Sequence, residues 1–552
     1  GCMPPPGLPE RFISAQDAPL EQLVKRFART HGPFTTREIA AHLHLRPAQL
    51  DALLRGLTSM GTLVNGELRP GGAEREWCDQ EVLRRLKRRT LARLRNEVAA
   101  VDGAALGRFL PRWHGLGSAS EGRGAGRLLE VIGQLEGLAL PWSLLSTVLL
   151  PARVADFDAQ MLDMLCAGGE VIWIGCSPLG GSDGRVALYR RANARRLLEA
   201  PVPMETTDQV HDALLAHLQD RGASFLSELA DAARTVVPGL AMEDFKSSLW
   251  DLVWAGLVTN DTFAPLRGLG RRTPRRSRRG AHEALAGGRW SLVSGLVDDQ
   301  LNDTERAVNR ARMLLDRYGI VSREAVQSES LSGGFSPLYK VLQGMEDAGR
   351  VRRGYFVEGL SGAQFAEPGA IDRLRAARRG DDVATYDDEQ PDRYDEDDVV
   401  LLASQDPANV WGALLAWPDT SGADALRPRR AAGTWVVLVD GRPVLWVGVG
   451  GRQIATFADT VSSDRGELEL ALEAIHRIPA GAKGRTLHVE QIDGAPAHES
   501  VLADLLLEHG FVRDHKGLLA QRTSTQGSKS AKGARRGRSR TGGRVPGRSF
   551  GH

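Results

Sequence analysis

The sequence predicts an α+β chain: tandem winged-helix domains followed by a β-barrel-like C-terminal domain. Three observations lead there. A helix–glycine–strand unit recurs at 53–68, 161–175, 248–261 and 341–359, and recurrence of one supersecondary unit is the mark of an array. In three copies a chain reversal and a Ser or Thr able to cap a helix come first, in GPFTTREIAAHLHL (32–45), GASFLSELADAA (222–233) and GIVSREAVQSE (319–329). Beyond Asp398 the helical spacing gives way to TWVVLVDGRPVLWVGVGGRQIATF (434–457), which reads as strands turned at Asp440-Gly441 and Gly450-Gly451.

Residues 1–18 are expected to be disordered, and the first winged helix to span 19–79. It opens with the helix PLEQLVKRFARTH (19–31). Thr36 with Glu38, and Ser322 with Glu324 in the last copy, place an acid in a first helical turn, near the positive helix end. Leu50, Leu53, Leu54 and Leu57 then carry the three-and-four spacing of a buried helix face. Gly61, Gly169, Gly256 and Gly349 each stand where that third helix must stop, and glycine accepts the left-handed conformation of a C′ position.

A basic helix (80–98) and a Gly-rich loop bearing Trp113 and His114 are expected across 80–126. The second module (127–200) has helices at 127–136, 141–150 and 159–168 and strands EVIWIG and RVALYR. The third covers 205–268 and the fourth 298–378, with an Arg-rich linker (269–297) between them and an acidic linker (379–398) after. In the barrel-like domain (399–522), helices are expected at 466–479 and 501–510 and a strand at 486–494. The low-complexity tail (523–552) is expected to be disordered.

A formal net charge of +2 hides strong segregation. Seven of twelve residues are basic in 84–95 and six of nine in 271–279, whereas 381–398 holds ten acids and one Arg. Such basic clusters can neutralise several phosphates, and the acidic run can compete for them; solvated linkers are the plainer alternative. No apolar run reaches membrane-spanning length and GCMPPPGLPE is no signal peptide, so no membrane partner and a cytoplasmic, nucleoid-associated location are expected. Cys2, Cys78, Cys166 and Cys176 include no CxxC pair, and read as free or buried thiols. No GxxxxGK[ST] and no HExxH occurs, so neither ATP hydrolysis nor a zinc centre is expected, and no cofactor is implied.

In a winged helix-turn-helix the third helix is the one that enters a major groove. That nominates Arg46, Gln49 and Arg55 in the first module, Lys246 and Ser247 in the third, and Ser336, Tyr339 and Lys340 in the fourth, with Arg85, Lys87, Arg88 and Arg89 adding phosphate contacts. Winged helices also bind proteins, so the fold alone does not fix DNA as the partner.

GELRPGGAEREWCD (66–79), GYFVEGLSGAQFAEPGAIDRLR (354–375), ASQDPANVWGALLAWP (403–418) and the strand block ending GGRQIATF resemble the C-terminal region of bacterial Lhr, the large helicase-related proteins. The resemblance runs from about Pro19 to Arg522. It implies a DNA-repair module carried beside a superfamily 2 helicase core, in cis or in trans. That region is in turn similar to winged-helix DNA glycosylases of the AlkZ and YcaQ type, which implies metal-free excision of uracil or a damaged base from single-stranded or damaged DNA. Those enzymes carry a Gln–apolar–Gln or Gln–apolar–Asp motif; the nearest match is Gln134-Leu135-Glu136, which departs at its third position but keeps a carboxylate. Gln134 and Glu136 are thus the candidate catalytic residues, with a polar helix face as the alternative. Trp113 and His114 can stack beside a flipped base, or anchor the loop beneath. A non-catalytic scaffold, with the chain as a homo-oligomer, is the alternative function.

Overall fold

The computed structural model describes residues 17–69, 74–87, 89, 99–117, 122–269, 285–298, 300–378, 398–421, 426–458, 465–478 and 487–520. The expected linker clusters at 271–279 and 381–397 and the tail fall outside that range, as does Arg88. The chain divides into two compact units, Gly1–Ala100 and Val101–His552. Among the described residues no helix is long and apolar enough to cross a membrane.

The first unit is a winged helix. Helices Pro19–Thr30, Thr36–His42 and Pro47–Ser59 lead to antiparallel strands Leu63–Gly66 and Glu76–Asp79. The three-and-four spacing buries Leu50, Leu54 and Leu57 completely against Val24 and Ile39. Thr35 caps the second helix, leaving Thr36 and Glu38 in its first turn as read: the Thr35 hydroxyl accepts from the Glu38 N–H at 3.2 Å while the Glu38 carboxylate accepts from the Thr35 N–H at 2.6 Å. Thr36 is left free to accept from the Trp77 indole at 3.0 Å, tying the second helix to the wing. A helix continues over 80–87.

The second unit repeats this plan three times. The second module runs Gly124–Leu135, Leu140–Pro141, a helical stretch from Trp142 to Arg153 with a π-turn at Leu145–Leu149, Ala159–Ala167, then wing strands Val171–Pro178 and Gly184–Arg190. The third has helices Gln209–Arg221, Leu226–Val236 and Met242–Trp254 with strands Val258–Asn260 and Trp290–Leu292. The fourth has helices Asp303–Tyr318, Arg323–Ser328 and Phe335–Asp347, with Ile320–Val321 joining Arg352–Gly354 and Gln364–Ala366 in one sheet. In every module a residue just after the first helix pairs with a wing strand: Phe34 with Trp77, Leu140 with Val186, Ser224 with Trp290, Ile320 with Ala366.

All four third helices end in one geometry. Gly61, Gly169, Gly256 and Gly349 have φ of 73, 73, 71 and 69°. Their N–H groups donate to Thr58, Cys166, Val253 and Glu346, and the next residue's N–H reaches back to Leu57, Leu165, Leu252 and Met345 at 2.9–3.0 Å. That pair of bonds is the Schellman motif, which satisfies two orphan carbonyls and turns the chain into the wing.

The second and third modules share one core, in which Trp142 stacks on Phe263 with ring centroids 5.5 Å apart. The structure corrects the expected loop before them: Gly103–Trp113 is a helix, capped by the Asp102 carboxylate on the Ala105 N–H at 2.8 Å. Its apolar residues Ala105, Leu106, Phe109 and Leu110 enter a core made by distant partners, chiefly the fourth module, with Val410, Leu414 and Leu415 of the C-terminal domain. Val101 exchanges backbone hydrogen bonds of 2.8 Å with Phe356 and Glu358 there. The same helix meets the C-terminal domain at Gly107, where a Cβ would sit 2.0 Å from the Gly441 carbonyl oxygen. Gly107→Ala is therefore expected to cost about 1–3 kcal/mol through overpacking, read as a lowered denaturation midpoint; an unchanged midpoint would mean the helix does not lie on that turn.

Among the described residues the C-terminal domain holds a six-stranded sheet in the order Val399–Ala403, Trp435–Val439, Arg442–Val447, Gln453–Thr456, Gln491–Ile492 and Ala495–Pro496, and a three-stranded sheet in the order His488–Val489, Gly517–Ala520 and Phe511–Asp514. Among the described residues the first and last strands of the six-stranded sheet do not pair, so that sheet is open where a barrel-like closure was expected. Helix Arg465–Ile475 explains why: Leu468, Ala471, Leu472 and Ile475 cover Val437, Val439 and Leu445, and a face buried by a helix needs no closure to hide it.

Candidate functional site

The residues nominated separately around 113 and 134 meet at the junction of the second and fourth modules. The Gln134 side-chain amide donates to the Trp113 carbonyl at 3.1 Å. The Trp113 indole donates to the Asp316 carbonyl at 2.8 Å, and its ring lies 5.4 Å from Phe109 and 5.3 Å from the Arg373 guanidinium. Trp113 thus anchors the end of its helix against the fourth module.

Glu136 is 2% exposed. Its carboxylate accepts from the Arg190 backbone N–H at 2.7 Å, from the Arg190 guanidinium at 3.1 and 3.2 Å, and from Asn193 at 2.9 Å. These donors lie on the wing strand and the short helix Arg191–Leu197 that follows it. From the other side comes Arg317, fully buried on helix Asp303–Tyr318. It donates to the Gln134 carbonyl at 2.9 Å and to the Glu136 carbonyl, and pairs with the buried Glu329. The segment 134–136 is therefore clamped by a cation from each module. A carboxylate so surrounded holds its neighbours in place, and reaching a substrate would require Arg190 to release it.

His114 sits beneath this clamp at 0% exposure. Burial first, then the nearby Arg153 and Arg317 cations, push its pKa down to about 3, against a partial lift from Asp406. The imidazole is consequently neutral. Beside it Arg153 and Asp406 form a buried bidentate pair at 2.6 and 3.1 Å, joining the second module to the C-terminal domain. Although burial opposes it, Arg153 holds the Asp406 carboxyl below the ordinary range. Arg430 caps the loop by donating to the Asn409 carbonyl at 2.7 Å and the Asp406 carbonyl at 3.2 Å.

Sequence reading missed Arg153, Arg317 and Asp406. The signal was present: Arg153 lies three and four residues after Leu150 and Leu149, on the buried face of its helix. A charge on an apolar face requires a partner.

The nominated DNA-contact residues are spread over separate modules. Arg46, Arg55, Ser247, Ser336 and Lys340 are exposed on third helices, and Arg85, Lys87 and Arg89 beyond the first wing. Gln49 is committed to its own helix start, accepting from the Arg46 N–H at 3.0 Å. Lys246 pairs with Glu243 at 3.1 Å, and Tyr339 packs edge-on against Phe365.

Three family descriptions match the chain. Residues 101–191 and 300–386 each match "Large helicase-related protein, winged-helix domain", and residues 3–115 match "DNA glycosylase AlkZ-like". A Mycolicibacterium smegmatis protein named Lhr helicase/probable uracil glycosylase is 39% identical over 546 residues, 94% of this chain and 35% of that protein. An Escherichia coli protein named Lhr helicase/uracil glycosylase is 34% identical over 558 residues, again 94% of this chain and 34% of its own length. The chain thus spans about a third of the length of either relative. The solved structure of Streptomyces sahachiroi DNA glycosylase AlkZ aligns over 69% of this chain and 97% of its own, with a TM-score of 0.40 and 16% identity, too distant a likeness to carry weight. By these matches the chain belongs with the C-terminal, AlkZ-like region of the large helicase-related (Lhr) proteins.

Proposed function

We propose that this chain grips DNA for a large helicase-related repair protein and excises uracil or a damaged base as a DNA glycosylase, with a superfamily 2 helicase core as its partner in cis or in trans. The observation that carries the reading is identity of 39% and 34% across 94% of the chain with two proteins named for both activities. Glycosylases need only to unstack a base, bind its edge and stabilise charge on the sugar as it leaves. Exposed Arg46 and Arg55 at the third helix of the first module and Lys340 on that of the fourth suit the grip on DNA, since phosphate contacts position it without reading it.

The test is a labelled single-stranded oligonucleotide with one uracil, incubated with the chain without ATP or metal and then treated with alkali. A break at the uracil is expected. No break, alongside a salt-sensitive gel shift, would reduce the chain to a DNA-gripping module. Gln134→Ala and Glu136→Gln address the proposed catalytic pair in the same assay. Both are expected to abolish the break at unchanged DNA affinity; cleavage that survives both would leave Glu136 as the anchor of Arg190 alone. For the grip itself, Arg46→Ala with Arg55→Ala is expected to flatten the dependence of log affinity on log salt by about two, at ~0.9 for each phosphate that is no longer neutralised. An unaltered slope would remove the first module from the interface.

A further inference from the structure

A cavity of about 240 Å³ opens between the second and fourth modules, directly beyond the clamped segment. Gly137, next after Glu136, forms one edge. Tyr189, Leu197, Met313 and Leu331 supply apolar and aromatic walls, while Glu199, Arg310 and Ser332 line its polar end. We propose that this cavity receives a single nucleobase turned out of the DNA stack, a pyrimidine whose ring N–H lies between two carbonyls, with uracil as the simplest case. This rests on the glycosylase reading above and adds to it the place where the base is held.

Size comes first. At ~30 Å³ per water the space holds roughly eight waters, room for one small heterocycle and too little for a drug-sized ligand. Shape agrees. The Tyr189 ring and the Met313 thioether both approach Gly137, where a Cβ would lie 3.4 Å from the ring and 3.5 Å from the sulfur. A planar π-system is what an aromatic ring and a polarisable sulfur together suit. The polar end offers both signs of hydrogen bond. Glu199 is oriented by its ion pair with Arg310 and by the Ser332 hydroxyl, which donates to it at 3.3 Å. Its side chain remains half exposed, with lone pairs to spare for a ring N–H. Arg310 and the Tyr189 hydroxyl, kept protonated because burial raises the phenol, provide donors for flanking carbonyls.

Two further features fit a base site. Ser330, on the cavity wall, holds a left-handed backbone with φ of 51° despite its side chain. That backbone conformation, rare for a residue with a Cβ, is kept where the turn to Ser332 must be fixed in place. Arg195 and Arg196 are exposed on helix Arg191–Leu197, whose last residue lines the cavity. A strand whose base enters here meets cations suited to its phosphates.

The experiment separates this site from the activity by measuring binding of the free base. Saturation-transfer NMR on the full chain with millimolar uracil is expected to show transfer to the ring protons. Ser332→Trp, an exposed position whose new side chain would fill the cavity, is expected to abolish that transfer while thermal midpoint and DNA gel shift hold. Glu199→Gln, which removes the oriented carboxylate without adding bulk, is expected to weaken uracil binding at least tenfold. Absence of transfer to the wild-type chain would overturn the proposal, as would transfer indifferent to both substitutions, or equal transfer to benzene, which offers no edge to read. Uracil excision that persists in Ser332→Trp would leave the glycosylase reading standing and remove this cavity from it. Uracil binding without excision would do the reverse.

Discussion

Arg153→Met is expected to destabilise the second unit by roughly 3–5 kcal/mol, the largest effect of any single substitution considered. The pair it breaks is buried at both ends, with side-chain exposures of 0% and 3%. Removing one member leaves the Asp406 carboxylate uncompensated in a low-dielectric interior, and that desolvation penalty, more than the lost attraction, sets the size. The control is Arg153→Met with Asp406→Leu. Replacing both charges by apolar groups removes the orphan, so the double variant is expected to recover most of the loss. Denaturant midpoints followed by tryptophan fluorescence decide it. A single-variant loss below about 1 kcal/mol would show that water reaches the pair, and the second module would not be locked to the C-terminal domain in the manner described.

Acid should unfold the chain earlier than its carboxylates require. His114 titrates near its ordinary 6.5 when unfolded but only at about 3 when folded. A base with a depressed folded pKa takes up its proton more readily in the unfolded chain, so stability is full above ~6.5 and falls with pH until about 3. The slope is ~1.4 kcal/mol per pH unit, which gives a loss of roughly 2 kcal/mol between about pH 7.5 and 5. The charged groups facing the ring are Arg153, Arg317 and Asp406. Asp406, held low, contributes its own acid dependence only beneath ~4, so between about pH 7 and 5 the slope from this cluster is that of His114. His114→Phe is expected to flatten the dependence between about pH 7 and 5. Equal slopes for both proteins would mean that the imidazole is not buried neutral.

The winged helices were readable because they rest on local rules. Four glycines at helix ends, four apolar third helices and the strands after them obey spacing and backbone sterics that a short window displays. Thr35 and Thr36 show the limit of such a window: it does not say which of two adjacent hydroxyls caps the helix, because Trp77, forty-one residues beyond Thr36, claims the second. The end of helix Gly103–Trp113 was read as loop because Gly115, Gly117, Gly122, Gly124 and Gly126 follow it closely, and the apolar face it presents finds its core only in distant segments. The open sheet was read as barrel-like because alternation along strands does not reveal whether a helix covers the face. At the candidate site, the sequence brought forward Gln134, Glu136, Trp113 and His114 but not the cations that clamp them. The apolar face that carries Arg153 calls for a partner without naming it, and neither Arg190 nor Arg317 betrays in its own segment the residues it holds, which lie 54 and 181 residues from Glu136.

Because Val101–Trp113 finishes the core of the fourth module, the second and third modules are threaded between two halves of one folding unit. The first half leaves the ribosome roughly two hundred residues before the second. Until then Leu106, Phe109 and Leu110 have no core to enter, an exposure of the kind that chaperones recognise and that slows folding through its large loop-closure cost. A fragment cut at Gly124, where the second module's first helix begins, would strip that helix from its distant partner. The natural cut lies before Val101, and a shorter fourth module is expected to misassociate through the surface it leaves open.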